Sequence, residues 1–209
     1  MRHRLISPCM LVFVHYWEQS QTLPQVSQSL GLEATRKIYK QLAENHWRGL
    51  SDPRIERWLL CNPPEACDSI ASWLPGADQV LPLPPLDRGQ RLAWGFEQAF
   101  QRATPFAVAV RMECPPIKAR TFHEIGRALE GSDVALVPTS KGSYAMIGLK
   151  RSIPELFKGV PWGTSEVLSA TIDIAMDLGL SVYQLPTQRE VVTLEDLIAL
   201  GWELPGRAD

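Results

Sequence analysis

Ionisable side chains follow three of the apolar segments that this sequence predicts to be strands. Glu113 follows the segment 106–110, Lys141 follows the segment 133–137, and Glu190 follows the segment 180–185. A hard divalent cation accepts carboxylate oxygens as ligands, and an ammonium group can neutralise a phosphate. These side chains would therefore suit a charged ligand if the fold brought the ends of their strands together.

The alternation of predicted strands and helices indicates an α/β fold with a mostly parallel sheet covered by helices on both faces. Continuous apolar runs predict strands over residues 10–14, 57–61, 79–81, 106–110, 133–137 and 145–149, and alternation predicts an edge strand over 180–185. Helical periodicity predicts helices over residues 32–44, 65–73, 87–103, 121–131, 164–178 and 193–200. No linker interrupts this series, so we expect a single domain over residues 1–209.

Potential capping residues mark where four of these helices should begin. Asp87 and Thr193 each precede an apolar stripe, and Thr121 with a Glu three residues later matches the capping-box pattern. Thr164 or Ser165 is expected to cap the helix that ends before a glycine. In sheets of this kind, ligands bind beyond the carboxyl ends of the strands. The rule directs attention to the loops after residues 14, 110 and 138 and to the segment around residue 190.

The composition limits the classes of function. With 209 residues, of which 45% are hydrophobic and 21% charged, the chain can bury one sizeable core. Its net charge of -2 and pI near 6.1 make nucleic acid an unsuitable partner. No apolar stretch approaches the roughly 20 residues that a spanning helix requires, so we expect no membrane span.

The cysteines and the N-terminus favour a cytoplasmic protein. Four cysteines occur without a C-x-x-C pair, and a chain of this size has no need of disulfide bonds. The basic start, residues 1–4, precedes a short apolar run that resembles the core of a signal peptide. Pro8 interrupts that run and no small-residue cleavage site follows it, so we interpret the run as the first buried strand.

Two neighbouring motifs carry a family resemblance. Residues 142–149 read Gly-Ser-Tyr-Ala-Met-Ile-Gly-Leu, and residues 156–164 read Leu-Phe-Lys-Gly-Val-Pro-Trp-Gly-Thr. They resemble the patterns D-G-G-Y-x-L-I-G-L and L-F-x-x-[IV]-P-W-G-T of the DUF2064-like bacterial proteins. These are glycosyltransferase-A-type members of the nucleotide-diphospho-sugar transferase superfamily. The resemblance covers residues 13–200 and implies a Rossmann-like fold and glycosyl transfer from a nucleoside-diphosphate sugar, aided by Mg²⁺ or Mn²⁺.

The resemblance also implies roles for particular residues. On the side of the nucleotide and its diphosphate it suggests five candidates, Asp87, Arg91, Lys141, Gly142 and Glu190. On the side of the acceptor it suggests three, Tyr144, Trp162 and Thr164. Glu113 stands where the family has an aspartate that is expected to bind the metal.

Several charged positions of the family pattern are substituted in this chain. Ser20, Leu23, Pro24 and Gln25 stand where the first loop of the family has Gly, Lys, Thr and Arg, so the segment 16–26 carries no positive charge. Lys141 and Val192 each stand where the family has an aspartate. The resemblance therefore implies a divergent member with a degenerate site.

Lys141 leaves two interpretations open. Either a carboxylate that organises a metal has been lost and the site is inactive, or the ammonium neutralises the diphosphate directly. A single lysine supplies one charge where a divalent ion supplies two and also fixes the geometry, which favours the first interpretation.

Three functional hypotheses follow. The first is a glycosyltransferase-like protein, weak or metal-independent, which binds a nucleotide sugar or another small molecule. The second is a catalytically inactive member that binds a protein or a ligand. The third is a nucleotidyltransferase, which shares the fold but also needs cations in the first loop.

Overall fold

Seven strands form one sheet in the computed structural model, which describes residues 7–114 and 117–202. They are β1 (Cys9–His15), β2 (Glu56–Asn62), β3 (Gln79–Pro82), β4 (Ala107–Arg111), β5 (Val134–Pro138), β6 (Tyr144–Leu149) and β7 (Val182–Gln184). Their order is β3-β2-β1-β4-β6-β5-β7, and β6 runs antiparallel to both of its neighbours while the other pairs are parallel. The predicted mostly parallel sheet is confirmed. The basic start at residues 1–4 lies outside the described residues, and the single domain over 1–209 stays a prediction.

Helices cover both faces of this sheet. They are α1 (Pro24–Leu30), α2 (Leu32–Gly49), α3 (Cys67–Trp73), α4 (Arg88–Phe100), α5 (Ala119–Gly131), α6 (Val167–Asp177) and α7 (Leu194–Ala199). Alternate residues of β1 show how the core divides, because Met10 and Val12 pack with α2, α3 and α5 while Leu11 packs with α4 and α6. None of the described helices has the length and apolar character needed to cross a membrane.

The capping predictions succeed at two helices and fail at two. Asp87 and Thr193 each form a capping box. Helix α5 instead begins at Ala119, two residues before Thr121, with Lys118 at its N-cap and no side-chain cap. Thr164 does not cap α6, since its hydroxyl donates to the carbonyl of Pro161 at 2.9 Å and closes a separate turn.

Three further differences concern the helices and strands. Helix α1 occupies residues that the sequence did not predict to be helical, and α2 continues to Gly49, beyond the predicted end. The left-handed conformation of Leu23 (φ 57°) turns the chain into α1, and Pro24 is tolerated in the first turn because that turn needs no donor there. The edge strand β7 has three residues instead of the predicted six.

The turn between β5 and β6 brings the start of β6 to the edge where the parallel strands end. Pro138 pairs with Tyr144, and the amide of Thr139 donates to the carbonyl of Ser143 at 2.8 Å. Gly142 adopts φ 79° in this turn, and its carbonyl accepts from the amide of Leu168 in α6 at 2.9 Å. A β-carbon at Gly142 would lie 2.0 Å from the carbonyl oxygen of Ser165. The turn therefore requires glycine for its backbone angle and for its close approach to the segment before α6.

We expect Gly142→Ala to lower the free energy of unfolding more than Gly159→Ala does. Both positions have positive φ, which costs a non-glycine residue about 1–2 kcal/mol, but a β-carbon at Gly159 meets no atom within 4 Å. Gly142→Ala adds a backbone clash to the same strain. Urea unfolding of the two variants measures the difference, and equal destabilisation would contradict the role of the Ser165 contact.

Candidate functional site

A cleft opens at the edge of the sheet where β1, β2 and β4 end and β6 begins. Its larger part has a volume of about 1020 Å³ and is lined by the ends of these strands, the segment before α1 and the turn between β5 and β6. A narrower recess of about 200 Å³ continues beneath the start of α4. The two parts share five lining residues: His15, Arg88, Arg111, Glu113 and Ser143. The cleft thus lies where an open α/β sheet is expected to bind a ligand.

Arg111, the last residue of β4, lies at the centre of the shared lining. Its Nη1 atom is 2.9 Å from Oε1 of Glu190 and donates to Oγ of Ser143 at 3.0 Å. Its Nε atom is 3.8 Å from Oε2 of Glu113. One guanidinium group therefore lies between two carboxylates that come from separate loops.

Both carboxylates are buried, with exposed fractions of 8% for Glu113 and 5% for Glu190. Burial acts to raise the pKa of Glu113, but the charge of Arg111, with a smaller contribution from Arg88, holds that pKa below its usual value. Glu190 accepts a second hydrogen bond, from the hydroxyl of Thr139 at 2.5 Å. Glu113 is thus ionised near neutral pH, and both carboxylates contact the buried cation.

The start of α4 contributes a second cation to the cleft. Arg88, the first residue of this helix, is exposed, lines both parts of the cleft and has no ion pair with a described residue. Asp87 does not enter the site, because its carboxylate accepts from the amide of Gln90 at 2.8 Å and caps the helix. Arg88 is therefore available to an anionic ligand, whereas Asp87 has a structural role.

Arg91 lies beside the recess and orients a chain of hydrogen bonds. Its Nη1 donates to Oδ1 of Asn62 at 3.3 Å, which leaves the amide nitrogen of Asn62 to donate to Nδ1 of His15 at 2.9 Å. Neutral His15 consequently carries its proton on Nε2. Burial lowers the pKa of His15, so this residue of the shared lining is neutral near pH 7.

The wall formed by the segment before α1 is neutral, as the sequence implied. Gln19, Gln21, Thr22 and Gln25 line it. Arg36 in α2 comes close, but its Nε donates to the carbonyl of Ser20 at 3.2 Å. This wall therefore offers amide and hydroxyl groups rather than charge.

Lys141 and Gly142 lie at the rim, in the turn between β5 and β6. Nζ of Lys141 is 3.5 Å from Oδ1 of Asp196, and its side chain is 44% exposed. The other carboxylate oxygen of Asp196 accepts from the amides of Val192 and Thr193. Lys141 thus pairs with a carboxylate that caps a helix, at the edge of the cleft rather than on its floor.

The recess brings together two of the three candidates for the acceptor side. The ring of Tyr144 contacts the ring of Trp162 edge to face, with centroids 6.5 Å apart. Burial raises the pKa of Tyr144, so its hydroxyl remains protonated. Thr164 lies on the rim of the larger part. The remaining walls of the recess are mainly apolar, formed by Phe13, Leu83, Leu92, Ala109 and Ile147.

The divalent cation implied by the family resemblance does not fit these residues. Glu113 and Glu190 already contact the guanidinium group of Arg111. Across residues 7–114 and 117–202, no group of three or more His, Cys, Asp or Glu side chains is placed to hold a metal ion. A divalent ion normally needs further oxygen ligands and would have to displace the arginine.

Two cations of the cleft are absent from the candidates that the sequence suggested. The neutral first loop led us to expect few cations, with Arg91 and Lys141 as the basic candidates, but Arg88 and Arg111 also line the cleft. Both residues border predicted features, namely the cap at Asp87 and the candidate ligand Glu113. Their positions at a helix start and at a strand end could have identified them as candidates. The direction of each side chain depends on the tertiary structure and could not be predicted from neighbouring residues.

Structural comparison supports the fold assignment. A structure from Desulfovibrio desulfuricans G20, named as a candidate nucleotide-diphospho-sugar transferase, matches with a TM-score of 0.84 at 23% identity, over 96% of this chain and 89% of that chain. The 4-diphosphocytidyl-2C-methyl-D-erythritol synthase of Anaerococcus prevotii DSM 20548 matches with a TM-score of 0.59 at 10% identity, over 92% and 95%. A CMP:2-keto-3-deoxy-manno-octonic acid synthetase complexed with CTP gives a TM-score of 0.56 at 14% identity, over 93% and 98%. At these identities the similarity shows the fold alone.

Sequence comparison gives the family. No protein of curated function matches this sequence significantly. Residues 48–164, more than half of the chain, match the family described as "Uncharacterized protein conserved in bacteria (DUF2064)". With the motifs of residues 142–164 inside the matched region and the fold in agreement, the chain belongs to the DUF2064 family.

Proposed function

We propose that this protein binds a nucleoside-diphosphate sugar in the cleft and transfers its glycosyl group to a small acceptor held in the recess. The observation that carries the proposal is the two-part cleft, in which Arg88 and Arg111 lie where a large polar chamber meets a small apolar recess. A donor with a charged diphosphate and a separate acceptor would occupy two such parts. The name given to the similar structure from Desulfovibrio supports this class of donor.

The charges of the cleft suit a diphosphate. Arg88 is free to form charge-assisted hydrogen bonds with phosphate oxygens, and the start of α4 adds backbone donors at a positive helix end. The amide groups of Gln19, Gln21 and Gln25 can hydrogen-bond to the sugar or the nucleoside without adding charge. The donor would thus lie across the larger part, with its diphosphate towards Arg88 and Arg111.

The recess suits a small acceptor with an apolar body. Its volume of about 200 Å³ excludes a second nucleotide, and Trp162 offers an aromatic wall of the kind on which sugars and apolar rings pack. Arg91 and the Nε2 proton of His15 add donors near the place where the two parts join. The acceptor would therefore present a nucleophilic oxygen towards the donor.

In the proposed step, the bond between the anomeric carbon and the diphosphate breaks, and its electron pair stays on the diphosphate. The acceptor oxygen forms the new bond to the anomeric carbon and releases its proton. Glu113, ionised in the shared lining, is the carboxylate that we assign to accept this proton. Arg88 and Arg111 stabilise the charge of the departing diphosphate.

A nucleotidyltransferase is the second candidate, because several similar folds carry that activity in their names, including the synthetase complexed with CTP. Such an enzyme binds a triphosphate, which is more negative than a diphosphate sugar. The neutral wall before α1 and the two carboxylates beside Arg111 make the cleft less suitable for that charge. We therefore prefer the glycosyltransferase function.

We expect nucleoside-diphosphate sugars to raise the melting temperature more than the matching nucleoside triphosphates. A ligand at 100 times its Kd stabilises the folded state by about 2.7 kcal/mol, which a thermal-shift screen detects. A larger shift with a triphosphate, together with pyrophosphate release in the presence of a sugar phosphate, would favour the nucleotidyltransferase. If no nucleotide shifts the transition at millimolar concentration, both activities fail and a non-catalytic binding protein is favoured.

Arg88→Ala should weaken binding of the nucleoside diphosphate by roughly tenfold or more, because a charge-assisted hydrogen bond contributes about 1.5–3 kcal/mol. Arg102→Ala is the matched control, since Arg102 follows the other end of α4 and lies over the ring of Trp58 at 4.6 Å. Isothermal titration calorimetry measures both affinities. Equal affinities for Arg88→Ala and the wild type would exclude contact between Arg88 and the phosphates.

Trp162→Ala should raise the KM for the acceptor at least severalfold and leave the affinity for the donor within about twofold. The reason is that Trp162 lines the recess and is absent from the lining of the larger part. Trp162→Phe keeps an aromatic wall and should restore most of the loss. Steady-state kinetics with each substrate varied in turn separates the two effects, and a loss confined to donor binding would place the donor in the recess instead.

A further inference from the structure

We propose that the guanidinium group of Arg111 takes the place of a divalent cation, so that this protein binds its anionic ligand without a metal. The replacement of the metal by Arg111 is a property of the ligand-free protein. The binding of a ligand's phosphates by Arg111 rests on the proposed function. Sequence reasoning had considered Lys141 for such a substitution, but Lys141 pairs with Asp196 at the rim.

The arrangement around Arg111 is that of a cation held by a prepared set of carboxylates. Oxygens of Glu190 and Glu113 lie 2.9 Å and 3.8 Å from its nitrogens, and the side chains of these acids are only 6% and 11% exposed. Two buried carboxylates that share one guanidinium group would be strongly unfavourable as anions if that cation were absent. Arg111 provides that cation from the chain itself.

Hydrogen bonds around the two carboxylates also fix the position of the guanidinium group. Thr139 donates to Glu190, and Ser143 accepts from the same Nη1 atom that contacts Glu190. These contacts come from both ends of the turn between β5 and β6, whose glycine cannot be replaced without a clash. The guanidinium group is therefore held in one position by groups on rigid backbone.

A metal ion and Arg111 would compete for the same oxygens. An incoming Mg²⁺ or Mn²⁺ would need both carboxylates and would leave a largely buried guanidinium group without its partners, which is strongly unfavourable. The described residues offer no third His, Cys, Asp or Glu to complete the coordination. The folded protein thus favours its own arginine over a divalent ion from solution.

Arg111 still has donor capacity for a ligand. Its Nη2 atom has no partner among the described residues, and the side chain is 26% exposed and lines both parts of the cleft. Arg88 lines the same two parts of the cleft and adds a second guanidinium group. A phosphate group would therefore be bound by directed hydrogen bonds from two arginines rather than by the excess charge of a metal ion.

The test is direct binding of Mn²⁺ to the ligand-free protein, measured by the loss of the electron paramagnetic resonance signal of the free ion. We expect no binding by the wild type at millimolar Mn²⁺. Arg111→Gln removes the cation and keeps a side chain of similar reach, so this variant should bind Mn²⁺ and lose that binding again when Glu113→Gln is added. Its melting temperature should fall, and Mn²⁺ or Mg²⁺ should raise it in a manner that EDTA reverses.

Arg57→Ala is the matched control for the loss of a partly buried arginine. Arg57 donates to the carbonyls of Trp47 and Gly76, each at 3.0 Å, and lies away from the cleft. This variant should be destabilised without any response to Mn²⁺. If the Arg111→Gln protein can be purified in folded form only when Mn²⁺ or Mg²⁺ is added, this dependence supports the proposal, because the metal ion then replaces the missing cation.

Two results would overturn the proposal. One is stoichiometric Mn²⁺ binding by the wild type that Glu113→Gln abolishes, which would show that a metal and Arg111 occupy the cleft together. The other is an Arg111→Gln variant that folds and shows no response to Mn²⁺ or Mg²⁺. Neither measurement includes a nucleotide, so a failure of the proposed donor class leaves the result for Arg111 interpretable.

Discussion

The interaction on which the site depends is the contact of one partly buried arginine with two buried carboxylates. Arg111 ends β4, Glu113 follows it, and Glu190 comes from the segment after β7. Removing Arg111 would leave two buried carboxylates without their cation, and breaking a buried ion pair in this way typically costs about 3–5 kcal/mol. The three residues therefore fix one another's positions, and they hold the end of β4 and the segment after β7 in one relative position.

This constraint explains how the cleft can have a neutral wall and still suit an anion. The family resemblance of the sequence implied cations in the first loop, whereas that wall presents glutamines and a threonine. Positive charge enters instead from the end of β4 and the start of α4, as Arg111 and Arg88. If the cleft binds a phosphate as we propose, these two arginines supply its cations, and both lie at the same edge of the sheet.

Much of the fold could be predicted from the sequence, because it depends on patterns of near neighbours. The buried strands were recognisable as continuous apolar runs, and the caps at Asp87 and Thr193 followed from short-range hydrogen bonding. The errors occurred where the local pattern did not decide the start of a helix. Helix α5 begins at Ala119, ahead of the capping pattern at Thr121, and a positive φ at Leu23 precedes a helix that the periodicity did not predict.

The sequence by itself determined the class of fold, the family, and the loops that would meet at one edge, since these follow from periodicity, motif spacing and the polarity of parallel strands. Only the tertiary structure decided which charges meet. Whether a strand-end arginine points into a cleft, and whether a lysine faces a phosphate or a helix-capping aspartate, depends on residues distant in the chain, as Arg111 with Glu190 and Lys141 with Asp196 show. Coulombic interactions depend on distance in space, and the order of residues does not specify that distance before the chain has folded.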